Sequence, residues 1–171
     1  MISFTGSTRA GVQIAKNAAD TVKRVAQELG GKSANIVFAD SDLEAAVTRG
    51  VLHCFGNTGQ SCNAPTRMLV EQSVYDEAVA IAARVAKAAK LGDPMDKGPH
   101  YGPVVSKAHY DKIQGLIQVA IDEGAQLVAG GTGRADGFDR GYYVKPTVFA
   151  GVHNKMRIAQ EEVFGPVLVL I

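Results

Sequence analysis

Apolar residues recur along the chain with two different spacings, and the segments that carry them alternate. The clearest is 106–123, where Ile113, Leu116, Ile117, Ala120 and Ile121 fall at i, i+3, i+4, i+7 and i+8. That spacing predicts one buried helical stripe, closed by Gly124. A second helix is predicted over 42–57, with Leu43, Val47, Val51 and Cys54 at four- and three-residue intervals. Its start, Ser41-Asp42-Leu43-Glu44, has capping-box spacing, in which Ser and Glu satisfy each other's exposed N–H groups. Residues 8–20, with Val12, Ile14, Ala15 and Ala18 on one face, predict a third helix. A fourth is capped by Ser73-Val74-Tyr75-Asp76 and reaches about Lys90.

Between the helices lie short runs that read as strands: 2–5, 22–28, 34–38, 67–71, 126–129, 142–144, 147–149 and 167–171. Segments 91–104 and 132–141, rich in Gly, Pro and Asp or otherwise polar, read as loops. Strand and helix in alternation predict an α/β fold. The chain opens on a strand and closes on a wholly apolar one, Val167 to Ile171. An internal fragment with further elements on each side is therefore expected.

Composition narrows the partners. With 171 residues, 46% hydrophobic, 20% charged and a net charge of +1, this is the profile of a globular domain without a basic face. Nucleic acid and anionic membrane are not expected partners. No signal peptide or spanning segment is read, and two cysteines do not make a disulfide framework, so a cytoplasmic setting is expected.

Four segments could carry chemistry. Phe55-Gly56-Asn57-Thr58-Gly59-Gln60-Ser61-Cys62 puts a thiol after a helix and a glycine-bearing turn, with small neighbours that let a carbonyl approach. Backbone N–H groups of such a turn lower a thiol's pKa and support an oxyanion. The alternative is a structural cysteine, the role read for Cys54 on its apolar stripe. Glu28-Leu29-Gly30-Gly31-Lys32 ends a strand with a carboxylate where α/β sheets place ligand groups; a solvated glutamate is the alternative. Phe4-Thr5-Gly6-Ser7-Thr8 turns from strand to helix and would point N–H groups at an anion, unless Ser7 or Thr8 is simply an N-cap. Glu161-Glu162-Val163-Phe164-Gly165-Pro166 reads only as a turn before a strand. His53 is read as a helix-surface or partly buried residue. His100, His109 and His153 are scattered, and no zinc spacing is present.

In this order the four segments resemble the aldehyde dehydrogenase superfamily, over essentially the whole chain. The glutamate motif is Glu28-Leu29-Gly30-Gly31-Lys32-Ser33 and the cysteine motif Gly59-Gln60-Ser61-Cys62, with 34 residues from Glu28 to Cys62. The resemblance implies oxidation of an aldehyde to a carboxylic acid with NAD or NADP. It makes Cys62 the nucleophile and Glu28 the general base, whose pKa would be lifted by partial burial. It assigns Gly6, Ser7, Leu29, Glu162 and Phe164 to the cofactor, and no metal. It implies a boundary near residue 30, with the end of a cofactor domain over 1–30 and a catalytic domain over 31–171, and a homo-oligomer. The family's side-chain oxyanion donor and adenosine-ribose lysine lie before this stretch. A second outcome is thus a chain without dehydrogenase turnover, retaining at most a reactive thiol or esterase activity.

Overall fold

The apolar run near the end of the sequence is a central strand whose two faces are both covered. In the computed structural model, which describes residues 1–171, the chain divides into two units, Met1–Gly31 and Lys32–Ile171.

The first unit is a βαβ motif. Strand β1 (Ile2–Gly6) leads through the N-cap Ser7 into helix α1 (Thr8–Ala19), and β2 (Val25–Leu29) returns parallel to β1. The register pairs Thr5 with Glu28 and Gly6 with Leu29. The second strand starts at Val25, three residues later than its composition suggests. The N–H groups of Thr21, Val22 and Lys23 are taken by the carbonyls of Ala18 and Ala19, and Val22 turns left-handed (φ 52°), so 20–24 close off the helix instead.

The second unit is a five-stranded sheet between helices. In chain order its elements are β3 (Ala34–Val37), α2 (Leu43–Phe55), β4 (Arg67–Val70), α3 (Tyr75–Ala88), α4 (Lys107–Asp122), β5 (Gln126–Ala129), β6 (Thr147–Ala150), α5 (Arg157–Gln160) and β7 (Val167–Leu170). The sheet order is β3-β4-β7-β6-β5; all neighbours are parallel except β5 with β6. Along β7, Val167 and Val169 join the core under α4 and α5, while Leu168 and Leu170 join the core under α2 and α3. In β6, Phe149 and Val148 divide the same way. Alternate side chains point to opposite faces, so a strand buried on both must be apolar throughout. The α/β class expected from the sequence is thus the class found.

Local details depart from expectation for identifiable reasons. Helix α2 is capped by Asp42, whose carboxylate accepts the Ala45 N–H at 3.1 Å. Ser41 instead donates to the Phe38 carbonyl at 2.7 Å, and Glu44 is held by Arg84, so no capping box forms. Ser73 likewise turns to Glu71 and caps nothing; α3 begins at Tyr75 without a side-chain cap. Residues 142–144 are not a strand: Tyr142 accepts one bond from Val104, and sheet pairing starts only at Thr147, beyond Pro146. The short helix α5 had no periodicity to reveal it. No helix is long and apolar enough to cross a membrane.

Candidate active site

Helix α2 ends at Phe55, fully buried and edge-on to Tyr101 at 6.2 Å between ring centroids. After Gly56 the chain makes an unusual turn: Asn57 (φ 50°), Thr58 (φ 56°) and Gly59 (φ 71°) are left-handed in succession. A Cβ costs roughly 1–2 kcal/mol per residue in this region, and a β-branched residue is a true outlier there. Hydrogen bonds hold the turn. The Asn57 side chain donates to the Gln60 carbonyl at 3.0 Å and the Gln60 side chain donates back to the Asn57 carbonyl at 3.2 Å. The Thr58 hydroxyl donates to the Gly102 carbonyl at 3.1 Å, and Gln60 Oε1 accepts the Val105 N–H at 3.0 Å.

This scaffold presents Cys62. A tight turn, closed by the Ala64 N–H on the Ser61 carbonyl at 3.1 Å, has Cys62 and Asn63 at its centre, both exposed. Asn63 also borders a cleft of about 370 Å³ lined by Ser33, Asn35, Arg49, His53 and Pro65. Cys54 is the opposite case. It is fully buried, donates to the Val167 carbonyl at 3.6 Å, and has its thiol pKa pushed up to about 12 by that burial. The structure thus separates an accessible thiol from an inert one.

Gly59 also joins two motifs. A Cβ added there would lie 2.1 Å from the Gly165 carbonyl oxygen, so the cysteine turn packs backbone to backbone against the Glu162–Gly165 loop. In that loop Val163 is buried and Phe164 is left-handed (φ 59°). Its carbonyls are met by α4: Lys112 Nζ donates to the Glu162 carbonyl at 2.8 Å, and His109 Nε2 is 2.6 Å from the Phe164 carbonyl. Arg157 engages Glu161, whose pKa is lowered by that hydrogen bond. Glu161, the residue that closes α5, is therefore committed to Arg157. The sequence reading did not single out His109 or Lys112; their spacing on the polar side of α4 carries no signature of its own.

Lys32, which follows Gly31 in the glutamate motif, starts this unit. Its Nζ is buried without a hydrogen-bond partner, and desolvation lowers its pKa from 10.5 to about 8. The charges of Arg67 and Lys112 push the same way, those of Cys54 and Glu162 the other. No group of three or more His, Cys, Asp or Glu is placed to hold a metal ion.

In the first unit, Gly6, Ser7, Glu28 and Leu29 gather at the carboxyl ends of the two parallel strands, where α/β sheets place ligands. Ser7 Oγ accepts the Ala10 N–H at 3.3 Å, so it is the N-cap of α1. Leu29 packs over Gly11, where a Cβ would come within 2.7 Å of it. Glu28 is exposed, so its own unit does not supply the burial expected of it. Glu28 and Cys62 belong to different units.

Comparison with known proteins identifies the family. The model of the aldehyde dehydrogenase family matches residues 1–171. A 3-succinoylsemialdehyde-pyridine dehydrogenase from a Pseudomonas species is 52% identical over the whole chain, which covers 36% of that protein. Among solved structures, an aldehyde dehydrogenase from Bartonella henselae is 64% identical with a TM-score of 0.97, over 99% of this chain and 36% of its own. Aldehyde dehydrogenase C from Pseudomonas syringae, a cysteine-to-alanine variant in complex with NAD+ and octanal, is 51% identical with a TM-score of 0.98, over 100% and 35%. The chain thus spans about a third of the length of these relatives.

Proposed function

The chain belongs to the aldehyde dehydrogenase family, and on that premise we propose that it carries the nucleophile and general base for oxidising an aldehyde to a carboxylic acid. The observation that carries this reading is the turn before Cys62. Three left-handed residues, held by side-chain hydrogen bonds, lead to an exposed thiol, and the last of them, Gly59, packs against a second loop that the family motif assigns to the cofactor. Strain kept at one point by so many bonds is the mark of a positioned functional group.

In the proposed reaction the Cys62 thiolate adds to the aldehyde carbon, giving a thiohemiacetal. The Cys62 backbone N–H supports the oxyanion. NAD or NADP, when bound, would supply the acceptor for the hydride whose loss turns the thiohemiacetal into a thioester on Cys62. Glu28 then takes a proton from the water that hydrolyses the thioester and releases the acid. For the dinucleotide, Gly6 and Ser7 offer a strand-to-helix junction at a helix N-terminus, suited to phosphate, and Leu29 an apolar wall. Glu162 offers a carboxylate for ribose hydroxyls and Phe164 a ring for the nicotinamide. Residues 1–31 are thus read as the end of a cofactor domain and 32–171 as part of a catalytic domain. Free Cys54 and Cys62 suit a cytoplasmic enzyme, and exposed Ile36 and Phe38 along β3 and just beyond it suit an assembly of like subunits.

The 171 residues alone are expected to keep a reactive thiol, with little turnover. Adding NAD+ or NADP+ and a panel of aldehydes to a chimaera that carries this chain within a relative of full family length tests the proposal. Reduced cofactor is expected to form with Cys62 present and to be lost in Cys62→Ser; turnover that survives that change would overturn the assignment.

A further inference from the structure

Phe164 has a left-handed backbone, a region that bulky residues leave unless something holds them there. The nearby groups are on α4. His109 Nε2 lies 2.6 Å from the Phe164 carbonyl oxygen, and the two rings meet edge-on, with centroids 5.8 Å apart. A carbonyl oxygen can only accept, so Nε2 must carry the proton. His109 is itself fixed at the first turn of α4, where Ser106 Oγ accepts its backbone N–H at 3.2 Å. One turn on, Ile113 packs so tightly on Gly165 that a Cβ there would lie 2.6 Å from it.

We propose that His109 is a positioning residue: by donating its Nε2–H to the Phe164 carbonyl it holds Phe164 left-handed and so shapes the Glu162–Gly165 loop. Lys112 grips the Glu162 carbonyl, two residues before Phe164, on a longer, freer stem. Because Gly165 lies against Gly59, the strut also bears on the turn that presents Cys62. That the shaped loop faces a nicotinamide rests on the functional reading above; the strut does not.

The test is NMR on the 171-residue chain. Long-range 1H–15N spectra are expected to place the His109 proton on Nε2, and scalar and dipolar couplings to find Phe164 left-handed. Losing one hydrogen bond in His109→Leu should lower the ratio of left-handed to other conformers of Phe164 roughly fivefold. His109→Gln, whose amide can donate to the same carbonyl, should restore it. In parallel, the rate of Cys62 alkylation by iodoacetamide should change in His109→Leu and return in His109→Gln. A proton found on Nδ1 alone, a left-handed Phe164 that persists in His109→Leu, or its loss in both variants would overturn the proposal. If His109→Leu fails to fold, the wild-type tautomer decides. Turnover that survives Cys62→Ser would count against the functional reading and leave the strut standing.

Discussion

Gly59 and Gly165 touch through their backbones, so closely that a single methyl group on Gly59 would lie 2.1 Å from the Gly165 carbonyl oxygen. One belongs to the cysteine motif and the other to the loop after Glu162. Their contact makes two segments more than a hundred residues apart into one local structure. It also leaves no room for a side chain, on a backbone (φ 71°) that already disfavours one.

Gly59→Ala should therefore destabilise the chain by about 3 kcal/mol, the sum of an overpacked contact and a left-handed alanine. Urea denaturation of the two proteins side by side measures it. A loss below about 1 kcal/mol would mean that the loops part easily.

Thr58 should respond differently to two changes. Thr58→Val keeps the left-handed strain but loses the bond to the Gly102 carbonyl, for a cost of about 1–2 kcal/mol. Thr58→Gly loses the same bond but relieves the strain, so the two effects should nearly cancel. Equal melting temperatures for the two variants would show that strain is not stored at this residue.

The cysteines should label unequally. Iodoacetamide is expected to modify one thiol per chain in the native state, with labelling lost in Cys62→Ser and kept in Cys54→Ser. With its pKa near 12, Cys54 has a thiolate fraction on the order of one in ten thousand at pH 8, and it is enclosed besides. Mass spectrometry of the intact chain reads the outcome; labelling of Cys54 without denaturant would contradict the packing around it.

Lys32 should make stability depend on pH. Its folded pKa, about 8, lies below the ordinary 10.5, so between those values the unfolded chain binds more protons than the folded one. Stability then rises with pH across that window, and below it the folded state carries the cost of a buried ammonium. Lys32→Met should stabilise the chain at about pH 7 by on the order of 1–3 kcal/mol, with the gain fading towards about pH 10. Urea midpoints of both proteins at the two pH values check the sign. A variant equally destabilised at both would show that the amine has a partner.

Much of this was legible in the sequence because it is periodic or because it is a motif. The stripe of Ile113, Leu116, Ile117 and Ala120 is periodic, and all four are buried in α4. The contrast between Cys54 and Cys62 followed from a helical stripe beside a glycine-bearing turn. Caps were less legible, since Ser41 and Ser73 each had a stronger partner near in space, a carbonyl in one case and a carboxylate in the other. The grip of His109 and Lys112 on the Glu162–Gly165 loop could not be read at all. It joins side chains to backbone carbonyls some fifty residues away, and any residue type supplies a carbonyl. The isolation of the Lys32 amine was hidden for the same reason: burial at a loop position has no sequence period.

The place of β7 has a further consequence, for the order in which the molecule can assemble. It is the last strand in the chain, yet it lies between β4 and β6, which do not pair with each other. As the polypeptide emerges during synthesis, β3 can join β4 and β5 can join β6, but the two halves have no common strand until Val167–Leu170 arrives. Until then the inner edges of β4 and β6 are open, together with the apolar surfaces that β7 will cover. Completion of the sheet is accordingly a late, long-range event. The nascent chain is most vulnerable to wrong strand pairing just before Val167–Leu170 is released.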